Sequence, residues 1–229
     1  MPKRKSESEF SHEDYTVGCV CAIATEYIAA QEFLDEEHEP LESLHNDTND
    51  YALGRVGKHN VVIAVLPEGQ YGIANASSVA SNMVRSFPHL RIGLMVGIGG
   101  GLGDVVVSTV TGSHGAVFQY DYGKAVQGQE FQSTSFINQP PALLQTAVSG
   151  LRTVYERKGS RIHESVEEAL NTNRRLRNRF QQPDLETDRL FLSTVIHDDA
   201  CCADRNDPSE IVDRPPRTER EDDPMFITG

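Results

Sequence analysis

The segment from Leu94 to Ser108 places the strongest constraint on how this chain can fold. It reads Leu-Met-Val-Gly-Ile-Gly-Gly-Gly-Leu-Gly-Asp-Val-Val-Val-Ser, so an apolar run enters a turn with five glycines and a β-branched run leaves it. Glycine has no Cβ, so a ligand can approach the main chain of such a turn closely. The N–H groups of the turn can also line an anion-binding concavity. The segment predicts a strand, a glycine turn and a second strand, with a tight turn that binds no ligand as the alternative.

Three common ligand-binding or catalytic motifs do not fit this chain. The dinucleotide-binding pattern G-x-G-x-x-G leads into a helix, whereas here Leu102 takes the position of the third glycine and Asp104–Ser108 predicts a strand. The Walker A pattern fails because no Gly-Lys-Ser/Thr follows the turn. The G-x-S-x-G elbow of serine hydrolases is absent. The sequence therefore disfavours a dinucleotide-dependent oxidoreductase and a serine hydrolase.

Composition narrows the class of protein. A length of 229 residues suits one domain with tails, and a formal net charge of −13 argues against nucleic-acid binding while allowing a small phosphorylated ligand. The N-terminus lacks an apolar signal region, and no apolar window is long enough to cross a membrane. We therefore expect a cytoplasmic protein, with Pro2–Lys5 as a weak nuclear-import alternative. Cys19 and Cys21 lie in an apolar run that favours buried thiols. The cysteine spacing predicts no metal site, and no cofactor is expected.

Periodicity predicts alternating strands and helices between polar ends. We expect an α/β fold, a three-layer α/β/α sandwich with a central mixed sheet, in one domain spanning 15–229. Four β-branched runs should share that sheet: Val17–Ile23, Val61–Leu66, Ile92–Val96 and Val105–Val107. The other predicted features are a disordered tail over 1–14, helices over 25–34, 75–87, 143–155 and 164–180, a hairpin of 51–56 with 60–66, a strand over 190–196, and loops over 38–50 and 197–224.

Four segments, in order, resemble landmarks of the nucleoside phosphorylase and nucleosidase superfamily. They are Val17–Glu26 (first strand and following carboxylate), Gly69–Gly72 leading into the Asn75 helix, Met95–Ser108 (glycine turn), and Phe118–Gly123 (aromatic segment). Their order is more specific than any one of them. The resemblance covers roughly Tyr15 to Gly229. This region is most similar to the version of the domain at the N-termini of multidomain fungal proteins, where the domain precedes nucleotide-binding and repeat modules.

The resemblance implies an activity and a set of site residues. Members cleave the N-glycosidic bond of a nucleoside or nucleotide with phosphate or water, through stabilisation of an oxocarbenium-like centre. Glu26 matches the carboxylate that orients the attacking water in the hydrolytic branch. The turn residues Gly97, Ile98, Gly99 and Gly100 match the segment that receives phosphate or ribose hydroxyls. Phe118 and Tyr120 match aromatic residues that close a neighbouring subunit's pocket in dimeric relatives, which implies a homodimer.

Each of these roles has a plainer alternative. Glu26 is equally well explained as a surface carboxylate favoured at a helix start, and Phe118 and Tyr120 as packing residues of a core. If Glu26 is catalytic, it should border one cavity with the turn, because strand C-termini converge on the ligand crevice in such sheets.

The chain also departs from the family pattern. Met95 and Ile98 stand where phosphorolytic relatives carry Arg and Ser, which leaves the choice between phosphate and water open. The sequence ends at Met225–Gly229, before the family's strands with the ribose-binding glutamate and the base-protonating aspartate. We therefore expect a fold that is incomplete at its C-terminus and little or no release of free base from adenosine, inosine, uridine or nucleotides. A non-catalytic regulatory or interaction module is the alternative function.

Overall fold

The computed structural model describes residues 9–98, 105–110, 123–124, 126–128, 132–133, 139–182, 189–196, 207–213 and 224–228. Contacts divide the chain into two compact units, Met1–Gly100 and Gly101–Gly229. Both units contain helices and strands, and the first contains a mixed sheet. The predicted mixed α/β class is confirmed at this level.

The first unit is built on a five-stranded sheet with the order β2-β3-β4-β1-β5. β1 lies parallel to both β4 and β5, whereas β2, β3 and β4 pair in antiparallel fashion. Two helices follow the parallel strands. The elements are β1 (Val17–Cys21), α1 (Ala24–Glu32), β2 (Glu36–Glu37), β3 (Tyr51–Val56), β4 (His59–Val65), α2 (Ile73–Ser86) and β5 (Ile92–Met95).

Alternation along β1 and β4 supplies two apolar faces. Cys19 and Ile63 are paired in register and belong to one buried cluster, against which Tyr27 of α1 packs. Val62 belongs to the other buried cluster, together with Met83 of α2. Because side chains alternate between the two faces of a strand, α1 and α2 cover opposite faces of this sheet.

The β3–β4 hairpin confirms the predicted connection. The strands pair from Tyr51↔Ala64 to Val56↔His59, and Gly57 at the turn adopts φ +59°. That left-handed conformation favours glycine because a Cβ would be strained there. The predicted loop over 38–50 is likewise free of strand and helix.

The predicted disordered tail is wrong for its last residues. His12–Asp14 forms a short 3₁₀ helix, and the Asp14 carboxylate accepts hydrogen bonds from the N–H and the hydroxyl of Ser11 at 2.7 and 2.8 Å. The Phe10 ring stacks on His38 with 4.1 Å between centroids. These tertiary contacts order a segment whose own polar composition predicts disorder. Residues 1–8 lie outside the described residues.

The second unit contains three helices and two small sheets in its described part. α3 (Ala142–Lys158) confirms the predicted helix after Pro140 and Pro141. The small sheets pair β6 with β9 and β7 with β8. The remaining elements are β6 (Val106–Thr109), β7 (Gly123–Lys124), β8 (Gln132–Ser133), α4 (Ile162–Thr172), α5 (Arg174–Phe180), a 3₁₀ helix (Pro208–Glu210) and β9 (Met225–Thr228).

Three predictions for this unit need correction. Val105–Val107 does not share the large sheet, because β6 takes β9 as its parallel partner, with Val106 opposite Met225. The single helix over 164–180 is two helices, since the Asn173 side chain accepts hydrogen bonds from the first N–H groups of α5 and caps a new helix. The strand over 190–196 is reduced to one bridge, Phe191↔Ile211, followed by a turn.

Candidate functional site

The carboxyl ends of three parallel strands lie at one edge of the large sheet. β1 is flanked by β4 and β5, both parallel to it, so the three chains leave the sheet on the same side. α1 begins shortly after β1, and Glu26 is its third residue. β5 ends at Met95, and after Val96 the chain enters Gly97 and Ile98, the first residues of the glycine turn. This topology places the predicted carboxylate and the predicted turn side by side.

The Glu26 carboxylate is bound by main-chain N–H groups from two separate segments. Its Oε2 accepts hydrogen bonds from Ala22 at 2.6 Å and from Ile23 at 3.1 Å. Its Oε1 accepts a hydrogen bond from Ile98 at 2.7 Å. The side chain is only 9% exposed. Charge-assisted hydrogen bonds of this kind are stronger than neutral ones, and the start of α1 further favours a negative charge. Glu26 thus joins the start of α1 to the glycine turn.

Gly97 is adapted to this contact. A Cβ on Gly97 would lie 2.7 Å from Glu26 Oε1 and 3.1 Å from its Cδ. Its φ lies outside the left-handed region, so the backbone alone does not require glycine. The requirement comes from the carboxylate, which occupies the space that a side chain would need.

Exposed apolar side chains lie at this edge, in the described segments that follow the parallel strands. Tyr71 and Ile73 follow β4 and are 60% and 71% exposed, while Met95 and Ile98 follow β5 and are 81% and 72% exposed. The three segments that leave the strands here, 22–26, 66–73 and 95–98, contain no Lys or Arg. Apolar surface with few charges suits an uncharged, partly aromatic ligand better than a phosphorylated one.

Two buried thiols lie beneath the same edge. Cys19 and Cys21 are both free and buried, as predicted from their apolar run. The hydrogen bond between the thiols lowers the pKa of Cys19 and, together with burial, raises the pKa of Cys21. Cys21 therefore remains a protonated thiol, and its role is to fill the core beside α1.

The structure brings together Glu26, Gly97 and Ile98 from the predicted site. Gly99, Gly100, Phe118 and Tyr120 lie outside the described residues, so their roles stay predictions. Sequence reasoning missed the N–H groups of Ala22 and Ile23 as partners of Glu26. A signal was present, because a glutamate three residues after the residue that precedes a helix commonly accepts that residue's N–H.

A second polar cluster lies next to a cavity of about 150 Å³. Asp47 accepts hydrogen bonds from the hydroxyls of Tyr51 and Ser86 and from the N–H of Asn49. Burial acts to raise the pKa of Asp47, but these hydrogen bonds outweigh it and the pKa is lowered. Burial and the bond to Asp47 raise the pKa of Tyr51. The cluster fastens the 38–50 loop to β3 and α2.

The ranges that the structure describes contain neither a cluster of metal-ligating side chains nor a helix suited to a membrane. Within them, no three His, Cys, Asp or Glu side chains are placed to hold a metal ion. None of the helices described there combines the length and the apolar character needed to cross a membrane.

Comparison with known proteins gives one informative likeness. The chain is 46% identical over 189 residues to a protein of the fungus Hyaloscypha variabilis named a nucleotide-binding leucine-rich repeat (NLR)-like protein. The aligned region covers 78% of this chain and 18% of that relative, so this chain corresponds to a small part of a much longer protein. No family model matches the chain, and no solved structure matches it. The chain is therefore similar to one portion of an NLR-like protein.

Proposed function

We propose that this chain is a nucleoside phosphorylase-like domain of a larger NLR-like protein, with the three-layer α/β/α sandwich of that superfamily. It binds a nucleoside and promotes cleavage of its N-glycosidic bond. The observation that carries the proposal is the contact of Glu26 with Gly97 and Ile98. Two segments that resemble the superfamily's site, more than 70 residues apart in the sequence, meet at the ligand-binding edge of a parallel sheet.

The hydrogen bonds of Glu26 leave it one way to act on a substrate. An ionised carboxylate offers about four acceptor positions. Oε2 uses two for Ala22 and Ile23, and Oε1 uses one for Ile98. The remaining position on Oε1 can accept a hydrogen bond from a water molecule, and this would orient that water toward the anomeric carbon of a bound nucleoside.

Charge at the site favours water over phosphate as the nucleophile. Phosphate is usually held by Arg or Lys together with main-chain N–H groups. The segments 22–26, 66–73 and 95–98 carry no basic residue and two carboxylates, Glu26 and Glu68. A phosphate placed here would meet net negative charge, whereas a water molecule would not.

The second candidate is a non-catalytic module that keeps the fold and its ligand pocket. The observation that favours it is the same set of hydrogen bonds, because three main-chain N–H groups on one carboxylate are a sufficient structural reason for Glu26. In that case the domain would report nucleoside binding to the rest of an NLR-like protein and release no base.

The two candidates are separated by measuring binding and base release on the same samples. The wild-type chain, Glu26→Gln, and the exposed control Glu68→Gln are incubated with adenosine, inosine or uridine, with and without phosphate. Released base is followed by chromatography, and binding by saturation-transfer NMR. We expect slow, phosphate-independent release that is lost in Glu26→Gln and kept in Glu68→Gln. Binding without release would establish the non-catalytic candidate. If the chain neither binds nor cleaves any of the three nucleosides, both candidates are refuted.

A further inference from the structure

Helix α5 carries a dense group of positive charges. Four of its seven residues are arginines with exposed side chains: Arg174, Arg175, Arg177 and Arg179. The half-buried Leu176 and Phe180 are four residues apart and share the other side of the helix. We call the four arginines the arginine face. Such a face is unexpected in a chain whose formal net charge is −13.

The charge of the arginine face is not neutralised within the described residues. Arg177 donates a hydrogen bond to the amide oxygen of Asn171 at 2.7 Å, and the Arg179 guanidinium lies 5.0 Å from the centre of the Phe180 ring. Both of these partners are uncharged. Among the described side chains, no carboxylate forms an ion pair with any of the four arginines.

This placement of charge costs helix stability. Arg174 and Arg175 are the first two residues of α5, where the helix dipole disfavours a cation. Arg175 and Arg179 are four residues apart, a spacing at which like charges repel each other. Arginines that destabilise their own helix and have no described carboxylate as partner are explained by an anionic partner that binds them.

The size of the arginine face selects among anionic partners. A seven-residue helix is about 10 Å long, and α4, which contacts α5, carries three exposed glutamates: Glu164, Glu167 and Glu168. A nucleic acid or an anionic membrane extends well beyond the arginine face, so it would also meet these glutamates and the net negative charge of the chain. A short acidic peptide can contact the four arginines alone, and guanidinium groups bind carboxylates through paired hydrogen bonds.

We propose that the arginine face of α5 is a docking surface for a short acidic segment of a partner protein. The carboxylates of that segment form ion pairs with the four guanidinium groups. Because these pairs are exposed, salt screens them and docking weakens as ionic strength rises. The surface belongs to the second unit and uses no residue of the Glu26 site, so docking does not depend on nucleoside binding or cleavage.

The test uses a fluorescein-labelled hexaglutamate peptide as the probe. It is titrated into the full chain at low and at high salt, with binding followed by fluorescence polarisation. Binding should be saturable at low salt and weaker at high salt. Each arginine replaced by glutamine should weaken binding about two- to fivefold, so Arg174→Gln with Arg175→Gln should weaken it about 4- to 25-fold. The matched control is Arg91→Gln with Arg157→Gln, which removes the same charge at two exposed arginines outside α5 and should leave binding nearly unchanged.

The position of the peptide is mapped separately on the wild type, so the test does not depend on the folding of a variant. Backbone amide NMR signals of α5 should shift as hexaglutamate is added. Unshifted α5 signals would overturn the proposal, and so would equal binding by the two double variants. Vesicles containing phosphatidylserine and a duplex DNA are titrated in parallel. Tighter binding of either one than of hexaglutamate, lost in Arg174→Gln with Arg175→Gln, would also overturn the proposal and assign the arginine face to that partner.

Discussion

Replacement of Gly97 by alanine tests the contact on which the candidate site rests. The new Cβ would lie 2.7 Å from Glu26 Oε1, so the carboxylate must retreat by about 0.5 Å or more to reach an ordinary contact distance. That movement disrupts the hydrogen bond from Ile98, which now measures 2.7 Å. A hydrogen bond to a charged group contributes about 1.5–3 kcal/mol. Alanine offsets about 0.4–1 kcal/mol of this by restricting the unfolded chain. Gly97→Ala should therefore lower the free energy of unfolding by about 1–2 kcal/mol.

The measurement is urea unfolding followed by far-UV circular dichroism, with equal slopes required before free energies are compared. Gly93→Ala in β5 is the matched control, because a Cβ there has no atom within 4 Å. It should leave stability unchanged or raise it slightly. In a Glu26→Ala background, Gly97→Ala should cost little, since the obstructing carboxylate is gone. Equal effects of Gly97→Ala and Gly93→Ala, or an undiminished cost in the Glu26→Ala background, would show that the reasoning about this contact is wrong.

Three further predictions concern other parts of the first unit. Gly54→Ala would place a Cβ 2.5 Å from the Glu36 carbonyl oxygen, so it should lower the free energy of unfolding by about 1–3 kcal/mol in the same assay; an effect as small as that of Gly93→Ala would contradict this. The hydrogen bonds to Asp47 outweigh its burial and lower its pKa in the folded protein. The Asp47 carboxylate therefore stabilises the fold above its unfolded pKa of about 3.9, and this stabilisation is lost as pH falls through the folded pKa. Asp47→Asn should accordingly flatten the loss of unfolding free energy below about pH 4, and an unchanged acid profile would refute it. Burial raises the pKa of Tyr15 and Tyr27 to about 12. The two protonated phenols therefore stabilise the fold below about pH 10, and this stabilisation is lost as pH rises through 12. Ultraviolet titration should find both still protonated at about pH 11, and complete ionisation of all tyrosines near pH 10 would exclude this.

The large sheet was predictable where neighbouring segments determine the pairing. Tyr51–Val56 and His59–Val65 are joined by a glycine turn, so their antiparallel pairing follows from local sequence. The adjacency of Glu26 and Gly97 was also predictable, because each residue closely follows a strand and parallel strands end at a common edge. These inferences need only the chain direction and the short connections after the strands.

Features that depend on distant partners were not predictable. Nothing in the sequence of β6 specifies that its partner strand is β9, more than a hundred residues later. The Asp47 cluster likewise joins three separate elements, because Asp47 lies in the 38–50 loop, Tyr51 in β3 and Ser86 in α2. The break between α4 and α5 at Asn173 is different, because asparagine is a common N-cap residue of helices. This signal was available in the sequence.

One outer border of the large sheet is a strand of two glutamates, Glu36 and Glu37, both exposed. A free strand edge is a template on which a second copy of a chain can add its own strand. Two copies joined along this border would set the glutamates of one strand against those of the other, and like charges facing each other across a strand pair are destabilising. The ion pair of Glu36 with Arg55 at 2.7 Å offsets part of this repulsion, so Glu37 contributes most of it. This border therefore opposes self-association by strand addition.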